Sequence, residues 1–315
     1  MAKNKKQVLN SVNQSMDILD KIHNGHEFTN EEKSNILTDY VGVSKDNNSY
    51  FTPIQICEFI HNAIGTNGKV ADFSGGIGNM IVPLIEEYGK LKDGIQFDLY
   101  ELDKNTSTAA KKAWEDYDQV NIYGEFDSLQ RADEIEDYSY NFIVGNPPFS
   151  GSTPYLTEWD YKAMKSGNKA KNINLADAFV DLSIKKLDDD GYLALVLPMG
   201  HLYKDKSTKK LREWIKKQVV LKAIIPLDSK TFEDAGLQGT GIPTVLCIFQ
   251  SKKEQETVFY GELYDTDNLE DELKSLAEAY RLFDSGEYEV RYESEHTSGL
   301  HGVLYPIVKP WEVEY

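Results

Sequence analysis

The sequence predicts an α/β protein with a doubly wound, mostly parallel seven-stranded sheet. Seven short apolar runs alternate along the chain with segments whose apolar residues recur every three or four positions. Strands that alternate with helices favour a parallel sheet covered by helices on both faces. The predicted strands are Val70–Phe73, Phe97–Glu101, Val120–Tyr123, Phe142–Val144, Tyr192–Leu197, Leu221–Ile225 and Thr244–Phe249.

Helices are predicted before the sheet and between its strands. Apolar residues recur at helical spacing over Val8–Ile22, and Asn30 followed by two glutamates is typical of a helix start. The last two strands lack a helix between them, so their connection allows an antiparallel return. The helices predicted between strands are Met80–Tyr88, Thr106–Trp114, Ala176–Leu187 and Lys209–Gln218.

These patterns divide the chain of 315 residues into three parts. Residues 1–47 form a helical prefix, residues 48–250 form the α/β domain, and residues 251–315 form a small acidic appendage. Within the appendage we expect a strand at Thr257–Tyr260 and a helix at Asn268–Phe283. The chain is therefore predicted to hold one large domain with additions at both ends.

Composition excludes several classes of protein. Aromatic residues make up 11% of the chain, which argues against disorder, and no apolar run approaches the length of about 20 residues that crosses a bilayer. The first ten residues have lysines but no apolar stretch behind them, which argues against a secretory signal. Cys57 and Cys247 alone cannot build a disulfide framework or a zinc site. We therefore expect a soluble, cytoplasmic protein without a metal. The net charge of -18 opposes unaided contact with phosphates.

The first candidate site is the segment Asp72-Phe-Ser-Gly-Gly-Ile-Gly-Asn-Met80, which follows a predicted strand. Nucleoside cofactors bind at the carboxyl ends of parallel strands, and glycines let the backbone approach them closely. The spacing lacks the G-x-G-x-x-G pattern of dinucleotide binders, so it suits a cofactor without a pyrophosphate. A glycine-rich turn without a ligand is the alternative.

Two further acids follow the next two strands. Glu101 ends the second strand, where a carboxylate can accept hydrogen bonds from both hydroxyls of a ribose. Asp127 follows the third strand and should stand beside Glu101, as a candidate acceptor for an exocyclic amine. Each of them, taken alone, is also typical of a solvated strand end or a turn.

The most specific signal is Asn146-Pro-Pro-Phe149, after the strand Phe142–Val144. The two prolines fix the backbone and remove two donors, which leaves carbonyl oxygens on a rigid loop. The Asn146 side chain and the Pro147 carbonyl can accept both hydrogens of one amino group, while Phe149 offers a flat surface for a base. A rigid turn with a buried phenylalanine is the alternative.

In this order the motifs resemble those of DNA methyltransferases that modify adenine at N6, above all the methylation subunit of type I restriction-modification systems. Tyr50-Phe-Thr-Pro53 matches the segment that precedes the glycine motif in that family. The chain departs from the family at Phe73, where proline is usual, and at Ile77, where a small residue is usual. The likeness spans residues 48–250 and continues through Asp177–Ile184, Gly191–Pro198, Leu211–Trp214 and Gly239–Thr244.

The resemblance implies a Rossmann-like methyltransferase fold, S-adenosylmethionine as methyl donor, base flipping and DNA as acceptor. It implies a catalytic loop of Asn146, Pro147, Pro148 and Phe149. No general base is needed, since the methyl group is already activated, and no nucleophilic cysteine is needed either. The residues that it implies for cofactor binding are Tyr50, Phe51, Thr52, Pro53, Asp72, Ser74, Gly75, Gly76, Gly78, Glu101 and Asp127.

The distribution of charge predicts how DNA would be held. Four lysines follow the Asn146–Phe149 loop and are the candidate DNA contacts, namely Lys162, Lys165, Lys169 and Lys171. The basic stretch Lys204–Lys217 is more typical of a solvated helix face. Residues 254–315 hold 16 acids and 4 bases, a local balance of -12. We therefore expect a partner, a separate specificity subunit, to supply the missing cations.

Two other functions fit parts of the sequence. Related Asn-Pro-Pro loops serve enzymes that methylate RNA or protein glutamine, although those proteins usually carry tyrosine at the position of Phe149 and lack the Thr-Pro segment. Alternatively, the chain is a methyltransferase-shaped interaction or anti-restriction protein that acts through subunit or DNA mimicry. Intact Asp72, Glu101 and Asn146 favour an enzyme.

Overall fold

A twisted sheet of eight strands forms the centre of the computed structural model, which describes residues 2–43, 52–86, 89–155, 173–204, 207–227, 243–251, 254, 257–263 and 268–287. The strands, in chain order, are β1 (Gly68–Asp72), β2 (Ile85–Glu86), β3 (Lys90–Leu91), β4 (Ile95–Glu101), β5 (Val120–Gly124), β6 (Tyr140–Gly145), β7 (Ser152–Thr153), β8 (Ile173–Asn174), β9 (Leu187–Pro198), β10 (Val219–Leu227), β11 (Thr244–Ser251) and β12 (Phe259–Tyr260).

The main sheet has the order β12-β10-β11-β9-β6-β1-β4-β5. β1 lies between β4 and β6 and is parallel to both, whereas β11 runs antiparallel to its neighbours β9 and β10. All seven predicted strands are present, and the predicted antiparallel return is confirmed. The expected count of seven is wrong by one, because Phe259–Tyr260 of the appendage pairs in parallel with β10.

Helices cover both faces of the sheet, as a doubly wound fold requires. One buried cluster joins the sheet to the prefix helices, to α3 and α4 and to the last helix, and the other joins it to α5 and α7. The α/β fold class is therefore confirmed. The helices are α1 (Ala2–His23), α2 (Asn30–Asp39), α3 (Ile54–Ile64), α4 (Lys104–Ala113), α5 (Leu175–Lys186), α6 (Gly200–Tyr203), α7 (Ser207–Ile215) and α8 (Leu269–Ser285).

The helix predicted over Met80–Tyr88 is wrong. The chain instead forms a 3-10 helix at Asn79–Leu84, followed by the antiparallel pair β2 and β3. Pro83 lies inside the 3-10 helix, and its ring and missing N–H oppose continuation as an α-helix. The apolar period that suggested a helix reflects burial of Met80, Ile81 and Leu84.

The prefix packs against the main domain. In α1 the buried face carries Ile18 and Leu19, while Met16, which fits the helical period of the sequence, is 53% exposed. The α2 helix begins at Asn30, so the N-cap is Thr29 rather than Asn30. Thr29 forms a capping box with Glu32. Lys33 of α2 pairs with Glu115 and Asp116 beyond the end of α4.

The appendage also contacts the main domain. Its helix α8 packs on α3, and Asp284 accepts a hydrogen bond from Tyr192 of β9 and pairs with Lys222 of β10. These contacts attach both ends of the described chain to one sheet. The division at residues 47 and 250 stays a proposal about sequence organisation.

Candidate active site

An open cleft of about 770 Å³ lies at the carboxyl ends of β1, β4 and β6, beside the turn that follows β5. This is the edge where an open parallel sheet binds ligands. Segments far apart in the chain meet there. The described residues that line the cleft are Thr52, Asp72, Phe73, Ser74, Gly75, Gly76, Asn79, Met80, Glu101, Leu102, Phe126, Asp127, Ser128, Leu129, Asn146, Pro147, Pro148, Phe149, Ser150, Ser152, Thr153, Pro154, Tyr155, Leu175 and Phe179.

Close packing shapes the glycine loop after β1. The N–H of Gly75 donates to the carbonyl of Tyr100 at 2.9 Å, and a Cβ added to Gly75 would lie 2.5 Å from Cγ of Leu99. Gly78 has φ of +95°, and a Cβ there would lie 2.6 Å from Nε1 of Trp114. A side chain at either position would collide with the core, so the loop backbone itself forms this wall of the cleft.

Two departures from the family pattern have structural roles here. Phe73 is buried, and its ring centroid lies 5.5 Å from that of Tyr100 and 5.8 Å from that of Tyr140. Ile77 is fully buried, and its carbonyl accepts a hydrogen bond from the indole of Trp114 at 2.9 Å. Both side chains are buried, and they anchor the two ends of the turn Ser74–Gly76 in the core.

Asp72 is a buried carboxylate between β1 and β6. Its Oδ1 accepts the N–H of Ser74 at 2.9 Å, and a Cβ added to Gly145 would lie 3.1 Å from the same oxygen. Burial, with a smaller contribution from the charge of Glu101, raises the pKa of Asp72 from 3.8 to about 7, and the hydrogen bond from Ser74 opposes the rise. The carboxylate of Asp72 therefore lies beside Gly145, the residue before Asn146, and its negative charge is poorly solvated.

Glu101 is held by backbone donors on both sides. Its Oε2 accepts the N–H of Gly76 at 2.9 Å, and its Oε1 accepts the N–H of Asp103 at 2.6 Å. Burial raises the pKa of Glu101, and these two hydrogen bonds oppose the rise. Each oxygen keeps a second lone pair, so the oriented carboxylate can accept further hydrogen bonds from a ligand.

Asp127 lies in the turn after β5. Its Oδ1 accepts the N–H groups of Leu129 and Gln130 at 3.1 and 3.0 Å, and the neighbouring Ser128 donates to the carbonyl of Phe73 at 2.8 Å. The turn is thereby tied to the glycine loop. As predicted, Asp127 and Glu101 line the same cleft, since their strands are neighbours in the sheet.

Two buried oxygens at the cleft have no hydrogen-bond partner among the described residues. They are Oγ1 of Thr52, which is 3% exposed, and Oδ1 of Asn79. A buried acceptor without a partner costs free energy, so both atoms fit the donors of a polar ligand. Thr52 and Pro53 lie at the start of α3, and the predicted ligands Tyr50 and Phe51 lie outside the described residues.

The Asn146–Phe149 loop leaves the end of β6 and forms another wall of the cleft. Pro147 is buried and Pro148 is exposed, while Phe149 packs partly against the core. The carbonyl of Phe149 accepts a hydrogen bond from the amide of Asn174 at 3.3 Å. The predicted DNA contacts Lys162, Lys165, Lys169 and Lys171 fall outside the described residues.

The charge of the cleft favours a cationic ligand. Asp72, Glu101 and Asp127 line it, and no lysine, arginine or histidine occurs among the described lining residues. Together with the narrow glycine wall and the two unpartnered oxygens, these carboxylates fit S-adenosylmethionine, which carries a sulfonium, an ammonium and a ribose. Of the predicted cofactor residues that the structure describes, Pro53 and Gly78 are not among those that line the cleft. The ones that do line it are Thr52, Asp72, Ser74, Gly75, Gly76, Glu101 and Asp127.

The sequence did not single out several residues of this cleft. Asn79 lies inside the glycine motif and could have been chosen for its polarity alone. Leu175 and Phe179, one turn apart on α5, and Thr153 of β7 lie in the cleft as well. They carry no motif, and only the packing of α5 on the sheet brings them there.

Other candidate chemistries find no support in the described part of the chain. Cys57 and Cys247 are both buried, and burial raises the pKa of each thiol, so neither is an activated nucleophile. The described residues hold no group of three potential metal ligands. Within the same residues, no helix is both long and apolar enough to span a membrane.

Comparison with known proteins identifies relatives of this chain. The type I restriction enzyme MpnII methylase subunit of Mycoplasma pneumoniae is 24% identical over 236 residues, which is 69% of this chain and 42% of the relative. The chain therefore spans less than half the length of that relative.

Solved structures share the fold. A protein of Vibrio vulnificus assigned as the modification subunit of a type I restriction enzyme matches with a TM-score of 0.61 at 18% identity, over 84% of this chain and 60% of that chain. A Listeria monocytogenes protein assigned to the class I S-adenosylmethionine-dependent methyltransferases matches with a TM-score of 0.60 at 17% identity, over 81% and 80%. The model of the N-6 DNA methylase family matches residues 34–281, so the chain belongs to that family.

Proposed function

We propose that the chain transfers the methyl group of S-adenosylmethionine to the N6 amino group of adenine in DNA, as the methylation subunit of a restriction-modification system. The observation that carries the proposal is the continuity of the cleft. The carboxylates Asp72, Glu101 and Asp127 line the same 770 Å³ space as Asn146–Phe149. Membership of the N-6 DNA methylase family supports adenine in DNA as the acceptor.

Each residue on the cofactor side has a distinct task. Asp72 is suited to the cationic ammonium, and the second lone pairs of Glu101 are suited to the two ribose hydroxyls. Oδ1 of Asp127 already accepts two backbone N–H groups, so we expect Oδ2 to accept the exocyclic amine. Thr52 and Asn79 provide acceptors for the donors of the same ligand.

On the acceptor side, Asn146 and Pro147 align the amino group. Bound S-adenosylmethionine supplies a methyl group already activated by its sulfonium, so the chain has to supply alignment rather than a base. Oδ1 of Asn146 and the carbonyl of Pro147 accept the two amino hydrogens, which directs the nitrogen lone pair at the methyl group. Pro147 and Pro148 hold these acceptors rigid, and Phe149 stacks on the flipped adenine.

Binding of DNA requires cations that the described lining residues lack. The lysines at positions 162, 165, 169 and 171 are the chain's own candidates for phosphate contacts, and a specificity subunit would add the rest. The curated relative is a methylase subunit of a type I restriction enzyme, which supports a partner of this kind. The net charge of -18 makes such a partner the simplest solution.

The proposal is tested with labelled S-adenosylmethionine and unmethylated DNA, using the purified chain alone and with a candidate specificity subunit. We expect label at adenine N6 and its loss in Asn146→Ala, with cofactor binding retained. Asn62→Ala, an exposed asparagine on α3, is the matched control and should transfer label normally.

Two results would contradict the proposal and point elsewhere. Label on RNA or on protein glutamine, with none on DNA, would identify a different acceptor for the same site. Cofactor binding without transfer to any acceptor, with and without the partner, would favour an interaction protein that keeps the methyltransferase shape.

A further inference from the structure

We propose that Asn174 is a positioning residue that holds the Asn146–Phe149 loop in its reactive geometry. The inference rests on the proposed function and adds a residue outside the motif. Asn174 is the last residue of β8 and the N-cap of α5. Its side chain joins that helix to the motif loop.

The two ends of the Asn174 amide make different contacts. Oδ1 accepts the N–H of Ala176 at 2.9 Å, which caps α5, and Nδ2 donates to the carbonyl of Phe149 at 3.3 Å. An asparagine can do both at once because its amide carries an acceptor and a donor in one plane. Serine and aspartate cap helices as well as asparagine does, but a carboxylate offers no donor.

The backbone brings this amide to the loop. Asn174 lies opposite Ser152 in the antiparallel pair of β7 and β8, and the N–H of Leu175 donates to the carbonyl of Gly151 at 3.3 Å. Gly151 has φ of +104°, and a Cβ there would lie 2.9 Å from Cδ1 of Leu175. The chain that leaves the motif is therefore folded back on the start of α5.

Fixing the Phe149 carbonyl limits the rotation of the loop at its flexible end. Pro147 and Pro148 restrict the backbone up to Phe149, but beyond them no proline follows until position 154. The hydrogen bond from Asn174 acts directly after the two prolines. It fixes the plane of the peptide group between Phe149 and Ser150. Small displacements of reacting groups lower the rate of transfer, so the bond should affect turnover more than cofactor binding.

Two variants separate this role from helix capping. Asn174→Ser keeps a cap and loses the donor, whereas Asn174→Asp keeps a cap, favours the helix dipole and places a carboxylate against the Phe149 carbonyl. If Asn174 only caps α5, Asn174→Asp should leave turnover unchanged and leave stability unchanged or raised. If Asn174 positions the loop, Asn174→Asp should have a lower kcat than Asn174→Ser.

We expect kcat to fall about fivefold in Asn174→Ser and about tenfold or more in Asn174→Asp, with KM and Kd for S-adenosylmethionine within about twofold of wild type. Amide exchange in peptide 149–155 should be several-fold faster in both variants, while exchange in α5 stays unchanged. Thr29→Ala, which removes the N-cap of the distant α2, is the control and should change stability without changing kcat.

The outcomes distinguish this inference from the proposed function. Wild-type kcat in Asn174→Asp, or unchanged exchange in peptide 149–155, would overturn the role of Asn174 while transfer by the wild type upholds the function. If the wild type transfers no methyl group, the proposed function fails, and the exchange experiment alone decides whether Asn174 holds the loop.

Discussion

The two halves of the cleft are built differently. On the proposed cofactor side, backbone N–H groups orient the carboxylates of Asp72, Glu101 and Asp127, and Gly75 and Gly78 leave no room for side chains. On the proposed acceptor side, the loop contains two prolines and accepts a hydrogen bond from the side-chain amide of Asn174. The cofactor half is thus a buried electrostatic site, whereas the acceptor half is a stiff backbone turn.

The difference predicts how each half responds to change. Poorly solvated acids give affinity for a cationic ligand at a cost in stability, because burial opposes their ionisation. A proline turn sets geometry with little charge. Variants of the first half should therefore alter cofactor affinity, and variants of the second half should alter turnover.

The largest effect is expected for Asp72→Asn. Loss of the carboxylate should weaken S-adenosylmethionine binding about 100-fold, the size of a charge-assisted hydrogen bond. The same change should stabilise the cofactor-free protein at pH 8 by about 3 °C or more in Tm, since it removes a buried charge. Calorimetric titration and thermal unfolding measure the two effects, and a variant that binds normally would exclude Asp72 from the ammonium site.

Solution pH should act through the same residue. The pKa of folded Asp72, about 7, exceeds its ordinary value of 3.8, so the stability that the neutral acid contributes is present below about pH 4 and is lost as pH rises to about 7. Cofactor binding needs the ionised form of Asp72, so Kd should rise about tenfold per pH unit as the pH falls below 7. A flat profile between pH 5.5 and 8.5 would contradict the assignment; Asp72→Asn should flatten it.

A smaller effect is expected for Glu101→Gln. Both carboxylate oxygens accept backbone N–H groups, so the new amide nitrogen would face a donor, and one acceptor for the ribose is lost. Kd for S-adenosylmethionine should rise about tenfold to thirtyfold. Glu134→Gln, an exposed acid paired with Arg131, is the matched control. Equal affinity of the two variants would remove Glu101 from the cofactor site.

The smallest effect is expected for Pro148→Ala, which tests the acceptor half alone. Pro148 is exposed, so alanine removes rigidity with little loss of packing. We expect kcat for adenine methylation to fall about threefold while Kd for the cofactor stays the same. A parallel rise in Kd would show that the two halves of the cleft are not independent.

Much of the site could be predicted because its chemistry is local in sequence. Asp72 and Glu101 end their strands, Asp127 and Asn146 follow theirs, and the carboxyl ends of parallel strands meet at one edge of the sheet. The strands themselves were recognisable from short apolar runs. The helix over Met80–Tyr88 was mistaken because buried residues of a 3-10 helix repeat much as those of an α-helix do.

By itself, the sequence determined the fold class and the order of the motifs, since local periodicity and turn composition encode both. The kind of chemistry followed from the resemblance of these motifs to those of DNA methyltransferases that modify adenine at N6. Only the tertiary structure decided that Phe259–Tyr260 joins the sheet as an eighth strand and that Asn174 reaches Phe149. The same holds for the buried oxygens of Thr52 and Asn79, two residues of the cleft, which have no hydrogen-bond partners among the described residues. These features depend on contacts between distant segments, which packing selects and no local pattern records.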